Sequence, residues 1–185
     1  MNEILMQRGR GLLQAGRLAE AARLYEQILL ADPTQFEAVY SLGLICVQTG
    51  QLEEAQGLLG NAMAINPGFA EGWCARGLVL LQLKRHEQAL ACFDRSLALK
   101  PGFAEAHNNL GVVLLQRGRV PEAMKHWEQA LQFKPDYPDA HNNLGLALEQ
   151  TGNVREAIKH YEEALRIRPD FVEAQNRLAR LRAVQ

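Results

Sequence analysis

The chain has 185 residues, 48% of them hydrophobic, with 20 Lys and Arg against 21 Asp and Glu, a net charge of -1 and a pI near 6.5. That hydrophobic content excludes a disordered polymer, and the near-neutral charge speaks against a nucleic-acid binder, which carries a basic face. No apolar run reaches the length of a membrane span, and Glu3, Arg8 and Arg10 break the basic-then-apolar order that a signal peptide needs.

Along the chain one step recurs. Pro33, Pro67, Pro101, Pro135 and Pro169 are 34 residues apart, and so are Gly9, Gly43, Gly77, Gly111 and Gly145. Ala21, Ala55, Ala89, Ala123 and Ala157 keep the same step without an insertion. A fixed period in this range marks a repeat array. The units run 2–35, 36–69, 70–103, 104–137 and 138–171, followed by a capping helix over 172–185, and the whole is expected to form one domain over 1–185.

The fourth unit shows how each is built. Leu110, Val113 and Leu114 fall at helical spacing, and Gly118 suits departure from the helix with positive φ. Pro121 fits the first turn of a second helix. Ala123, Trp127, Ala130 and Leu131 share one face of that helix, and Pro135 ends it. The mid-helix Gly111 costs up to about 1 kcal/mol relative to alanine. The expected compensation is close approach of the second helix at Ala123, with Trp127 filling the space between units.

These residues resemble the tetratricopeptide repeat family, whose pattern is matched by Trp73, Leu110, Gly111, Leu114, Ala123, Trp127, Ala130 and Pro135. The resemblance covers residues 2–171. It implies an all-α fold of five 34-residue helix-turn-helix repeats and a capping helix, eleven helices in a right-handed superhelix, or α-solenoid. The third unit departs from the pattern at Lys84, Arg76 and Ser96.

In the family the first helix of each pair lines a concave groove, at the second, fifth, sixth, ninth, twelfth and thirteenth positions of the unit. Three stripes follow. Glu3, Glu37, Glu71, Glu105, Asp139 and Glu173 form an acidic one. It is read first as favourable pairing of carboxylates with helix N-termini, and alternatively as a site for a basic segment. Leu44, Val47, Leu78, Leu81, Val112, Leu115 and Leu146 form an apolar one, either residual core or an exposed interaction floor. Gln14, Gln48, Gln82, Gln116 and Gln150 form an amide stripe, joined by Asn108, Asn109, Asn142 and Asn143 in the twice-written "AHNNLG". Such amides can pair with the backbone of an extended peptide. The repeats with "NNLG" are similar to those of the O-linked N-acetylglucosamine transferase superhelix, where an asparagine ladder holds peptide backbone. Tyr40 and Cys74 complete the expected groove. The carboxylate clamp of chaperone-binding relatives is not expected, because Glu71, Asp139 and Glu173 stand where it needs cations.

Enzymatic chemistry is not expected. No phosphate loop or nucleophile elbow occurs, and "HEQAL" from His86 has Leu90 where a zinc-protease helix needs a second histidine. His107 and His141 are equivalent, as are His126 and His160. Equivalent helices are at least about 8–10 Å apart, too far for joint zinc ligation. No metal or cofactor is therefore predicted. Cys46, Cys74 and Cys92, odd in number and out of register, make no disulfide framework and favour a reducing compartment, by default the cytoplasm. The reading is a non-enzymatic scaffold that binds a peptide or protein segment on its concave face. A second reading is the substrate-recognition part of a larger enzyme such as a glycosyltransferase. A third is a self-assembling repeat protein, associating through the apolar first helix with Ile4, Leu5, Leu12 and Leu13, while Arg177, Arg180 and Arg182 make a polar cap.

Overall fold

The computed structural model describes residues 2–183. Met1, Val184 and Gln185, the ends of the expected domain and of its capping helix, lie outside the described residues. Among those described there are eleven helices and no strand. Their contacts group them into two compact units, Met1–Leu99 and Lys100–Gln185.

The first unit contains α1 (Asn2–Gln14), α2 (Leu18–Ala31), α3 (Phe36–Gln48), α4 (Leu52–Ile65), α5 (Ala70–Gln82) and α6 (His86–Leu99). The second contains α7 (Ala104–Gln116), α8 (Val120–Phe133), α9 (Pro138–Gln150), α10 (Val154–Ile167) and α11 (Val172–Ala183). Odd-numbered helices are the first of each repeat and even-numbered ones the second, apart from the capping α11.

The turn inside each repeat has one geometry. Gly16, Gly50, Gly118 and Gly152 have φ of 70°, 78°, 73° and 83°. The amide of the residue just before the second helix then reaches back five residues, as in Arg17 N–H to Leu12 O at 2.9 Å and Arg119 N–H to Leu114 O at 2.9 Å. This is the Schellman arrangement, which satisfies carbonyls left open at a helix end. The third repeat makes the same bond, Arg85 N–H to Leu80 O at 2.8 Å, with Lys84 forced to a φ of 59°. Lysine there carries the strain of a left-handed side chain.

The mid-helix glycines answer to a different neighbour from the one expected. A Cβ on Gly111 would lie 2.6 Å from Nε1 of Trp127. Gly9 faces Tyr25 at 2.9 Å, Gly77 faces Phe93 at 2.6 Å, Gly145 faces Tyr161 at 2.8 Å and Gly43 faces Leu59 at 3.0 Å. The large side chain therefore sits on the glycine of its own repeat, and the glycine answers to Trp127 rather than to Ala123. All five of these side chains have zero exposure. Trp127 also donates from Nε1 to the backbone oxygen of Asn108 at 3.1 Å, so its one polar atom is satisfied in the core.

The departures in the third repeat are local. The Ser96 hydroxyl is buried and donates to Ala70 O at 2.8 Å, at the start of the paired first helix. The Arg76 guanidinium lies 5.9 Å from the Trp73 ring centroid.

Two substitutions test this packing. Gly111→Ala drives a methyl into the Trp127 ring and should cost about 1–3 kcal/mol, whereas Gly57→Ala, in α4 with open space around it, should gain about 0.5–1 kcal/mol. Urea unfolding midpoints of the two variants check both signs. By the same measurement Lys84→Gly, which relieves a left-handed side chain, should stabilise by about 1 kcal/mol.

Candidate functional site

The first-helix face is described within each unit. In the first unit, Tyr40, Leu44 and Val47 are half-buried and pack partly against a cluster of Cys46, Ala55, Leu59 and Val79. Leu81 is half-buried, Leu78 is 38% exposed, and Gln48 and Gln82 are exposed. In the second unit, Val112, Leu115 and Leu146 are half-buried, and Gln116 and Gln150 are exposed. The apolar stripe thus has both characters considered for it: each side chain gives part of its surface to the core and keeps part in solvent.

Cys74 is 4% exposed, and all three cysteines are buried thiols outside any disulfide. Burial pushes the Cys46 and Cys92 thiols up from their ordinary value. Cys74 stands at a groove position in register but presents almost no surface.

The asparagines divide by position. Asn108 and Asn142, at the fifth position, are buried, while Asn109 and Asn143, at the sixth, are half-buried. Asn143 donates from Nδ2 to Oδ1 of Asn108 at 3.0 Å, across neighbouring first helices. Asn108 in turn donates to Oδ1 of Asn109 at 3.4 Å. The "NN" pair therefore acts first as an internal link between α7 and α9. The link has no sequel one repeat on, because Arg177 stands where Asn143 would recur, and Oδ1 of buried Asn142 finds no donor among the described residues.

The acidic stripe is engaged inside the molecule. Glu37 takes a two-pronged pair from Arg10, with Nη2 to Oε2 at 2.6 Å. Glu105 accepts from Lys134 at 2.7 Å, and Asp139 from Arg168 at 3.2 and 2.6 Å. Burial works to raise the Glu105 carboxyl, yet the Lys134 hydrogen bond holds it below its ordinary value. Lys134 and Arg168 also sit over the aromatic ring just before the next first helix: Lys134 is 4.6 Å from the Tyr137 centroid and Arg168 4.4 Å from that of Phe171. These partners are about half exposed, so each ion pair is worth about 0–1 kcal/mol.

At the N-terminal end Leu5, Leu12 and Leu13 pack partly against the core of Met6, Tyr25 and Ile28, and Ile4 is 73% exposed. At the other end Arg180 pairs with Glu149 and Arg182 with Glu162. Glu149 also accepts from the Tyr161 hydroxyl at 3.0 Å, and burial followed by this carboxylate raises the phenol above its ordinary value. Among the described residues no helix is long and apolar enough to cross a membrane.

Two pairs of non-equivalent histidines, which comparison along the period does not bring together, meet in the structure. His107 Nδ1 lies 3.0 Å from His126 Nδ1, and His141 Nδ1 lies 3.0 Å from His160 Nδ1. On the far side of each pair, His107 Nε2 is 2.9 Å from Pro101 O and His141 Nε2 is 3.1 Å from Pro135 O. A carbonyl only accepts, so Nε2 of His107 and of His141 carries the hydrogen. Their Nδ1 atoms are then acceptors, and His126 and His160 donate to them from Nδ1. Trp73 donates to Pro67 O at 3.0 Å and Gln175 to Pro169 O at 2.7 Å from the equivalent position. The signal was present in the sequence: a histidine at the fourth position occurs only where the twenty-third is also histidine.

Comparison with known proteins bears on the whole chain. Tetratricopeptide repeat family models match residues 12–77, 70–103, 92–125 and 138–171, and a TPR repeat model matches 113–152. The chain belongs to the tetratricopeptide repeat family. No curated protein sequence matches it. Among solved structures it is similar to MamA, with 26% identity and a TM-score of 0.79 over 89% of this chain and 96% of that one. It is similar in fold to residues 41 to the end of MamA from Desulfovibrio magneticus RS-1, with 18% identity and a TM-score of 0.81 over 92% and 96% of the two chains. YrrB, described as a TPR protein with an unusual peptide-binding site, shares the fold with 23% identity and a TM-score of 0.76 over 93% and 89%.

Burial is the largest cause that lowers the affinity of His126, His141 and His160 for protons, below the ordinary 6.5. The unfolded chain then binds more protons than the folded one as pH falls through about 6.5, so stability must fall with it. Urea midpoints at pH 7.5 and 5.5 should show a loss on acidification. His126→Leu/His160→Leu should reduce that loss, and an unchanged pH dependence in the variant would contradict the assignment.

Proposed function

We propose that this tetratricopeptide repeat protein is a non-enzymatic interaction scaffold that takes a peptide or partner segment on the first-helix face of each of its two units. The observation that carries the reading is the apolar register. Leu44, Val47, Leu78, Leu81, Val112, Leu115 and Leu146 recur in phase and remain partly in solvent, although the core clusters that neighbouring repeats share lie directly beside them. Partly exposed apolar side chains in register are what a partner's side chains can cover. The exposed amides of Gln48, Gln82, Gln116 and Gln150 stand at the next position along and offer donors and acceptors to a backbone. The acidic stripe contributes little, because Glu37, Glu105 and Asp139 are paired internally.

The partner is an extended or helical segment with apolar side chains rather than a strongly basic one. YrrB, similar in fold, carries a peptide-binding site by its description, which is compatible with this reading. Peptides selected from a displayed random library against the full chain should be rich in apolar residues. Leu78→Glu and Leu115→Glu should each weaken their binding about tenfold, roughly 1.4 kcal/mol, as measured by calorimetry. Gln27→Glu, on the exposed side of α2, should leave binding unchanged. Equal affinity for wild type and both leucine variants would contradict the proposal.

A further inference from the structure

The two histidine pairs are the most specific polar chemistry outside the first-helix face. Each joins the first and second helices of one repeat, α7 to α8 and α9 to α10. The two copies agree closely, with ring centroids 5.3 Å apart in one and 5.2 Å in the other, and interplanar angles of 30° and 35°. At the same two positions the other repeats carry Leu5 with Leu24, Val39 with Leu58, and Trp73 with Cys92. Histidine is therefore gained at both positions together, in two repeats, and at neither position singly.

Packing alone does not ask for this. The fourth position can donate to the proline carbonyl with Trp73 or Gln175 as well as with histidine. The twenty-third is filled by leucine twice without loss of the core. What only histidine provides is a second ring nitrogen, and both second nitrogens face each other.

We propose that His107 with His126, and His141 with His160, form two equivalent two-histidine sites for a divalent late transition-metal ion such as Cu(II). Imidazole nitrogens bind such ions at about 2.0–2.1 Å, so two ligands separated by about 90–110° at the metal lie about 2.9–3.4 Å apart. The observed 3.0 Å falls in this interval for both pairs. His107 and His141 already present Nδ1 without a hydrogen, because Nε2 donates to a backbone carbonyl. That is the outer contact by which metal-binding histidines are usually oriented. On binding, His126 and His160 move their hydrogen from Nδ1 to Nε2 and stay neutral, so no proton is released by either ring. The remaining coordination positions go to water, since among the described residues no group of three or more His, Cys, Asp or Glu is placed to hold an ion. Imidazole suits copper, nickel and zinc, and Cu(II) binds most strongly in that series.

The sites differ in their surrounding charge. Glu163 acts electrostatically on both His141 and His160, with Glu156 close to His160 and Asp136 close to His141. Arg166 holds Glu163 and Asp136. Around His126 the flanking charges are Glu122, itself paired with Arg119, and Lys125. The excess of carboxylates makes the His141–His160 site the tighter of the two.

Titration of the full chain with Cu(II), followed by calorimetry and by electron paramagnetic resonance, tests the proposal. Wild type should take two ions per chain with two equatorial nitrogens each. His160→Leu should remove the tighter one, and His126→Leu/His160→Leu should weaken both at least tenfold. The leucines reproduce residues found at the same position in the first two repeats, so the fold should persist, as circular dichroism would verify. His107→Gln/His141→Gln keeps a donor for each proline carbonyl, as Gln175 does, and should likewise abolish both sites. Equal stoichiometry and affinity in wild type and in either double variant, or no two-nitrogen signal in wild type, would overturn the proposal.

Discussion

Each repeat of this fold depends on a large side chain, a ring in four of the five, lying on a glycine. An α-helix offers no room for another helix's aromatic side chain unless one of its own side chains is missing. In four repeats the first helix gives up a Cβ so that Tyr25, Phe93, Trp127 or Tyr161 can lie against bare backbone, and Leu59 takes the same seat in the second repeat. The glycine costs helix propensity, and burial of a large apolar side chain offsets it with about 1.5–3 kcal/mol for a leucine or phenylalanine. Because one face of the first helix is committed to this contact, another face, with Leu44, Leu78 and Leu115, is left only partly covered. The surface proposed for binding follows from how the core is made.

Polar contacts then set the phase of successive elements. In the last two repeats the cation before the proline turns back to the carboxylate of the first helix and also covers the aromatic ring that follows it, as Lys134 does between Glu105 and Tyr137 and Arg168 between Asp139 and Phe171. The side chain at the fourth position closes the same turn by donating to the proline carbonyl. None of these half-exposed links is strong. Their value is geometric, because they recur at one place in the period, where the chain enters a first helix.

Periodicity made the architecture legible. Helix starts, the glycine turns and the proline stops are local properties of the backbone, and a 34-residue step projects them onto every repeat. Even the exception at Lys84 keeps the turn geometry of its glycine counterparts. Partner choice was not legible in the same way. Whether Gly111 meets Ala123 or Trp127 depends on the rotation of one helix about its axis relative to another, and the period does not specify that angle. The acidic stripe read as helix-end chemistry because Lys134 and Arg168, 29 residues away, are neighbours only after the second helix folds back. The histidines were compared along the period, while the contact runs across it, between the fourth and twenty-third positions. Asn143 reads from its position as a groove residue, but its amide is engaged with Asn108.

The seat of the ring on the glycine is tested most directly by a double-mutant cycle on Gly111 and Trp127. Gly111→Ala, Trp127→Ala and the pair would be compared with the wild type by urea unfolding. If the ring occupies the space that the glycine leaves, the added methyl is harmful only while the ring is present. The double variant should then be more stable than the sum of the single effects predicts, with a coupling of about 1–3 kcal/mol. Additivity within about 0.5 kcal/mol would mean that the glycine serves some other contact, and would contradict the account of how each repeat is held together.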